Sequence, residues 1–186
     1  MKNYFVHKTS IIDKYVSIGE NTKIWHFSHI LEKSKIGKNC IIGQNVMIGP
    51  DVKIGNNCKI QNNVSLYKGV ELSDFVFCGP SCVFTNVCFP RAGIEKKNEF
   101  EMTFVGKHVT IGANSTILCG VKLEDYSFIA AGAVVTKSTK KFSLVAGCPA
   151  KHIGWVGHYG ERLDKNLICP VTKKKYLLQN GDLIEK

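Results

Sequence analysis

Over most of the chain, one residue in six is aliphatic. Ile12, Ile18, Ile24, Ile30, Ile36, Ile42, Ile48, Ile54 and Ile60 are isoleucines at intervals of six, and Leu66, Leu72, Cys78 and Phe84 follow in step. The pattern then breaks and resumes at Val105, Ile111, Ile117, Leu123 and Ile129. A helix of 3.6 residues per turn scatters residues six apart around its axis, and a long strand alternates with period two. Very short strands separated by turns return each aliphatic residue to one direction, so the period predicts a stack of repeats. The second run is out of phase: 111 minus 12 is 99, which six does not divide, so the stretch from about Val87 to Phe104 reads as an insertion.

The intervening positions agree. Three residues after each aliphatic come Asn21, Asn39, Asn45, Asn57, Asn63, Gly69, Asn114, Gly120 and Gly132, the two residue types that most readily take positive φ, so this position reads as a corner. Four residues after come small or branched side chains such as Thr22, Ser28, Ser34, Cys40, Val46, Val52, Cys58 and Val64, which fill the space beside a bulky isoleucine. Near the end, Tyr176 to Glu185 alternates around Asn180–Gly181, which predicts a β-hairpin.

Composition narrows the class. The 186 residues carry 25 Lys and Arg against 15 Asp and Glu, a formal charge of +10, with no apolar run near the ~20 residues of a membrane span. The Met1–Lys2–Asn3 start leads into no signal-peptide stretch, so the chain is expected to begin there and to work in the cytoplasm. Its lysines are dispersed, so an anionic small molecule would serve as well as nucleic acid, and a merely soluble surface explains most of the charge. The eight cysteines include no CxxC pair, so a structural metal site is not expected, and Cys40, Cys58, Cys78 and Cys82 fall on inward positions where they read as packing.

The hexad from about residue 10 to 136 resembles the hexapeptide-repeat, left-handed parallel β-helix family. The resemblance implies an all-β prism of triangular coils, three hexads or 18 residues each, hence about six coils and a length on the order of 25–30 Å. It implies residues 1–136 as the repeat domain, with an active-site loop at 87–104, and 137–186 as a cofactor-end segment and tail. Residues 18 apart then stack: His26, Gln44, Asn62 and Pro80 form one ladder, and Glu32, Pro50, Lys68 and Asn86 another.

More specific words are Ile24–Trp25–His26–Phe27, Gly43–Gln44–Asn45, Gln61–Asn62–Asn63, Phe77–Cys78–Gly79–Pro80, Thr85–Asn86–Val87 with Pro90–Arg91, Thr110–Ile111–Gly112 and Gly147–Cys148–Pro149–Ala150–Lys151. Together they resemble the β-helix N-acetyltransferases of nucleotide-linked amino sugars in surface-polysaccharide or O-antigen biosynthesis. That resemblance implies acetyl-CoA as co-substrate, no metal, and a homotrimer with active sites between subunits. It favours the 3-amine of UDP-2-acetamido-3-amino-2,3-dideoxyglucuronate as acceptor, with a dTDP-3-amino-3,6-dideoxyhexose as the alternative.

By the same resemblance, Asn86 lies at the reacting end, orienting the amine or stabilising the tetrahedral intermediate, while His26 and His108 are the two histidines retained as candidate bases. Arg91 and Lys96 suit a diphosphate or carboxylate; Gln44, Asn62 and Tyr67 suit sugar hydroxyls or the base edge; Glu95 suits the amine or a ribose hydroxyl, and Thr85 stands beside Asn86. Ala131 and Gly132, with Gly112, would let backbone amides approach the pantetheine arm, while Lys137 and Lys151 meet phosphates beside Pro149. The preferred chemistry is direct attack by the amine, with the leaving sulfur taking the proton. Phe84, Phe89, Phe100, Phe104 and Trp155 are aromatics for which a lone prism offers little cover. A γ-type carbonic anhydrase on the same fold requires three histidines converging on zinc, and His26, His29 and His108 do not reproduce that spacing.

Overall fold

The computed structural model describes residues 3–186 and contains no helix, so no helix is long and apolar enough to cross a membrane. Strands of two to five residues build a parallel β-solenoid with three faces. The first face runs from Phe5–Val6 through Lys23–Ile24 and Ile41–Ile42 up to Ser143–Ala146, eight parallel strands capped by the antiparallel strand Lys151–Trp155. The second carries seven strands, from Ile11–Ile12 to Val134–Val135, and the third six, from Ser17–Ile18 to Lys122–Leu123. Strand partners are 18 apart in sequence, as in Phe5↔Lys23 and Lys23↔Ile41.

The stack is about eight turns long, against the six the hexads implied. Six turns close on all three faces. The extra length comes from Val6, one period before Ile12, from Val135, one period after Ile129, and from Val145, which pairs with Ile129 at a spacing of 16 and so escapes the hexad count.

The core is a column. Ile24, Ile30, Ile42, Ile48, Ile60, Ile111, Ile117 and Ile129 are completely buried, each contributing about 1.5–3 kcal/mol by leaving water. The second inward position does more than fill space. Thr22, Ser28 and Ser34 donate their hydroxyls to the carbonyls of Gly37, Gly43 and Gly49, each 15 residues on. Cys40 and Cys58 make the same contact with Gly55 and Ser73 through sulfur, which explains why cysteine serves at a serine position. All eight cysteines are free thiols.

Every predicted corner residue has positive φ, from Asn21 at 59° to Asn114 at 55°. Other residue types share that conformation where asparagine is missing, among them Phe27, Lys33, Phe75, His108 and Tyr126. A left-handed L-residue costs roughly 1–2 kcal/mol, and along one edge the offset is stacking: Phe75 on His108 and His108 on Tyr126, both with centroids 4.6 Å apart, then Tyr126 on Phe142 at 4.9 Å.

The insertion is shorter than 87–104. Partners across it are 33 apart, as in Leu72↔Val105 and Phe77↔Thr110, so it adds 15 residues to an 18-residue turn. Thr103–Val105 is a strand of the third face, paired with Val70–Leu72 and Lys122–Leu123, because its alternating burial fits the sheet. The excursion closes where the Glu101 N–H donates to the Asn86 carbonyl at 3.0 Å.

Beyond the prism, Phe142, Leu163, Cys169, Tyr176 and Leu183 form a second apolar cluster. Its hairpin, Tyr176–Gln179 against Asp182–Glu185, turns at Asn180 and Gly181 as expected, both at positive φ. Of the five aromatics read as needing cover, Phe84 is 1% exposed inside the column and Trp155 packs against the second cluster, whereas Phe89 is 81% exposed.

Candidate functional site

Corner-to-corner hydrogen bonds assign each candidate residue to an edge. On the first edge, between the first and second faces, Asn45 donates to His26, Asn63 to Gln44, Ser81 to Asn62, Asn114 to Pro80 and Gly132 to Ala113. His26, Gln44, Asn62, Ala131 and Gly132 therefore share this edge. The second edge carries Pro50, Lys68 and Asn86, with Lys137 at its far end. On the third, Phe75, His108, Tyr126 and Phe142 receive their stack from below. Successive edges are separated by a strand and a turn, on the order of 15 Å. One protomer thus keeps Asn86, His26 and His108 apart.

Asn86 and Tyr67 meet on the second edge. They line a cleft of about 470 Å³ with Leu31, Met47, Gly49, Pro50 and Lys68 below and Lys97 and Phe100 of the excursion above. Three aligned elements make it: the ladder of residues 18 apart, the second-face strand at Met47, and the excursion that folds back over both. Its polar groups are few, and its cations are already engaged, Lys68 by Asp51 at 2.8 Å and Lys97 by Glu95 at 3.1 Å. No histidine lines it.

Several predicted contacts have structural occupations. The Thr85 hydroxyl accepts the Cys119 N–H at 2.9 Å, and its own N–H donates to Ile117. Asn62 Oδ1 accepts the Gln44 N–H at 3.0 Å, which fixes one rung of the first edge. Arg91 sits in an exposed turn bridged to Ile94, Lys96 pairs with Glu99 at 2.7 Å, Glu95 pairs with Lys97, and none of Arg91, Glu95 and Lys96 lines the cleft with Asn86. His108 lies between two rings; desolvation first, then the charge of His158, holds its pKa below the usual histidine value. The His26 ring lies against that of His7, with centroids 3.6 Å apart and the planes tilted by 31°. His29, given no role by the sequence, stands on the second face one strand below Met47 with its Nε2 2.9 Å from Asp13 Oδ1. With His26, His29 and His108 on an edge, a face and another edge, a three-histidine zinc site does not form within the chain.

At the far end of the prism, Lys137 lines a cleft of about 410 Å³ with Ser138, Thr139, Lys140, Ser143, His152 and Trp155. Desolvation, then Lys140, lowers the pKa of His152. Lys151 and Pro149 are exposed beside it and do not line it. The Gly132 amide is occupied by Ala113, so its contribution is open space, with nothing within 4 Å of where a Cβ would stand. Gly112 is the reverse: a Cβ there would lie 2.4 Å from the Ala131 nitrogen, so the glycine lets the next coil sit down.

The family description "Bacterial transferase hexapeptide (six repeats)" matches residues 15–50, 33–68 and 102–137, leaving out the excursion. A dTDP-3-amino-3,6-dideoxy-α-D-galactopyranose 3-N-acetyltransferase of Aneurinibacillus thermoaerophilus is 39% identical over 173 residues, 91% of this chain and 89% of that protein. The chain belongs to the hexapeptide-repeat bacterial transferases. Solved acetyltransferases share its fold at low identity. A GDP-perosamine N-acetyltransferase of Caulobacter crescentus, in complex with CoA and GDP-perosamine, is 19% identical with a TM-score of 0.56 over 80% of this chain and 55% of that one. The acetyltransferase domain of PglB from Neisseria gonorrhoeae, in complex with acetyl coenzyme A, is 14% identical with a TM-score of 0.55 over 82% and 58%. This chain spans little more than half of either solved chain. Among hexapeptide transferases, the 39% relative supports the dTDP-linked alternative over the UDP-glucuronate acceptor favoured from sequence.

Sequence reasoning missed Leu31, Met47, Lys97 and Phe100 as companions of Asn86. The spacing of Pro50, Lys68 and Asn86 was the available signal; the excursion's return path had none.

Proposed function

We propose that the chain moves the acetyl group of acetyl-CoA onto the 3-amino group of a dTDP-linked 3-amino-3,6-dideoxyhexose. The observation that carries this reading is the 39% identity, across nine-tenths of the chain, to a transferase named for such a substrate. The cleft supports it: Leu31, Met47, Tyr67 and Phe100 suit the C6 methyl of a deoxy sugar, and its lysines already hold carboxylates of this chain. A C6 carboxylate would compete with those pairs.

The sugar amine attacks the thioester carbon as its lone pair becomes the new C–N bond; the C–S bond then breaks and the departing sulfur takes the ammonium proton. Asn86, an amide and no base, donates its side-chain N–H to the oxyanion or holds the amine. The absence of a histidine from the cleft agrees with a route that uses no protein base within one chain. The cofactor lies toward the Lys137 cleft, where lysine and hydroxyl groups suit phosphates.

A homotrimer fits the outward residues of the second face. Of its seven outward residues, Ile11, Met47, Ser65, Val83, Thr116 and Val134 carry no charge, Ile11 and Val83 are 58% and 47% exposed, and the seventh, His29, is already paired with Asp13, whereas the third face presents Lys35, Lys53, Glu71 and Lys122. Packing that face between copies buries apolar surface without stranding charge.

The test offers acetyl-CoA with dTDP-3-amino-3,6-dideoxygalactose and with the UDP-linked 3-amino glucuronate, and follows release of the CoA thiol. Release with the dTDP sugar is expected. Release with the UDP sugar alone overturns the acceptor, no release with any amino sugar overturns the activity, and a sedimentation mass of one chain overturns the trimer.

A further inference from the structure

The excursion gathers three side chains that acetyl transfer does not use. Cys88 lies on its outgoing arm two residues after Asn86, Glu101 on its returning arm, and Cys119 on the next coil just past the strand Thr116–Ile117. Two Sγ atoms and a carboxylate oxygen, one from each residue, all lie within 4.8 Å of one another. The sulfurs are 3.6 Å apart. A disulfide bond needs about 2.05 Å; two thiolates sharing one tetrahedral zinc, with Zn–S bonds of ~2.3 Å, stand about 3.8 Å apart. Gly120, a corner residue at a φ of 80°, stands beside the carboxylate, and a Cβ on it would meet Glu101 Oε2. Among the described residues no lysine or arginine forms an ion pair with Glu101, whose side chain is hydrogen-bonded with the Cys88 thiol.

We propose that Cys88, Cys119 and Glu101 bind a zinc-type divalent ion that clasps both arms of the excursion to the prism. Two thiolates and one carboxylate suit borderline-soft Zn²⁺ and disfavour Mg²⁺ or Ca²⁺, and three protein ligands leave a fourth position for water. Loading forms two metal–sulfur bonds and one metal–oxygen bond and releases two thiol protons to solvent; nothing is oxidised. The ion takes no part in acetyl transfer. Its effect is positional, because Glu101 also donates its N–H to the Asn86 carbonyl and so ties the clasp to the rim of the cleft. The inference does not depend on which sugar the cleft accepts.

The test uses the whole chain, stripped with a chelator, kept reduced with a phosphine, and titrated with Co²⁺. One cobalt per chain, thiolate-to-cobalt charge-transfer absorption and its displacement by Zn²⁺ are expected, together with slower tryptic cleavage after Lys96 and Lys97 in zinc. Cys88→Ser and Glu101→Gln are expected to weaken uptake by at least about tenfold. Cys148→Ser removes an exposed thiol elsewhere and is expected to bind as wild type does. Wild-type protein without the charge-transfer band, or a Cys88→Ser variant that binds as tightly, overturns the site. Tryptic cleavage indifferent to zinc overturns the clasp.

Discussion

The second and third edges of this prism are made from the same hexad and end differently. On the third edge each of four successive turns contributes a ring, and Phe75, His108, Tyr126 and Phe142 stack at 4.6–4.9 Å. Both faces of the imidazole are filled, and burial depresses its basicity. On the second edge the ladder of Pro50, Lys68 and Asn86 is broken by the 15-residue excursion, which opens a cleft where a substrate has room. The reactive-looking histidine stands on the closed edge and the unreactive amide on the open one. The site proposed above therefore falls on the interrupted ladder, while His108 lines a smaller cavity of about 180 Å³ beside its stack.

The contrast is tested most severely through Phe84, which is 1% exposed and anchors the strand delivering Thr85 and Asn86. Phe84→Ala is expected to cost about 3–5 kcal/mol, read as the loss in unfolding free energy. Phe75→Ala, 48% exposed on the stacked edge, is expected to cost about 0.5–1.5 kcal/mol. Equal losses would mean that the ring stack supports the prism as much as the column does.

A smaller but more specific effect belongs to Asn86. Asn86→Ala is expected to lower turnover about a hundredfold or more while sugar-nucleotide binding changes by only a few-fold. A variant that binds the nucleotide poorly and turns over normally would move Asn86 from the reacting centre to the anchoring of the substrate.

The smallest change is expected on the closed edge. His108→Phe keeps the stack, since Phe75 already holds a nearly identical φ of 61° against 58°, and turnover should stay within about twofold. The variant should also soften the acid side of the stability profile. The His108 pKa is lowered in the folded state, so the unfolded chain binds that proton more readily, and stability falls as pH drops below about 6.5. Denaturation midpoints measured at about pH 7 and about pH 5 should lie closer together in His108→Phe than in wild type. A thousandfold loss of turnover would restore His108 as a base.

Much of the fold was legible before any coordinate. The period of six, the left-handed corners at Asn21 through Asn114, the inward Cys40 and Cys58, and the Asn180–Gly181 turn are short-range matters, decided by φ preference and by which side chains face inward. Asn86 was singled out by resemblance and by standing off the corner position, and it lines the cleft on which the proposed function rests. The assignment of Thr85, Arg91, Glu95 and Lys96 to the substrate was not matched by the cleft, because their partners lie within the excursion or on the neighbouring coil.

The amino-acid sequence by itself therefore determined the repeat, its corners and its core, since each of those follows from interactions that recur every six residues. Only the tertiary structure decided which edge each candidate occupies and what faces it. A hexad leaves three edges equivalent, a 15-residue insertion resets the count, and the cluster of Cys88, Glu101 and Cys119 joins residues 13 and 31 apart that no ligand spacing announces. Such contacts depend on where a chain that has left the repeat returns to it, and that is set by long-range packing.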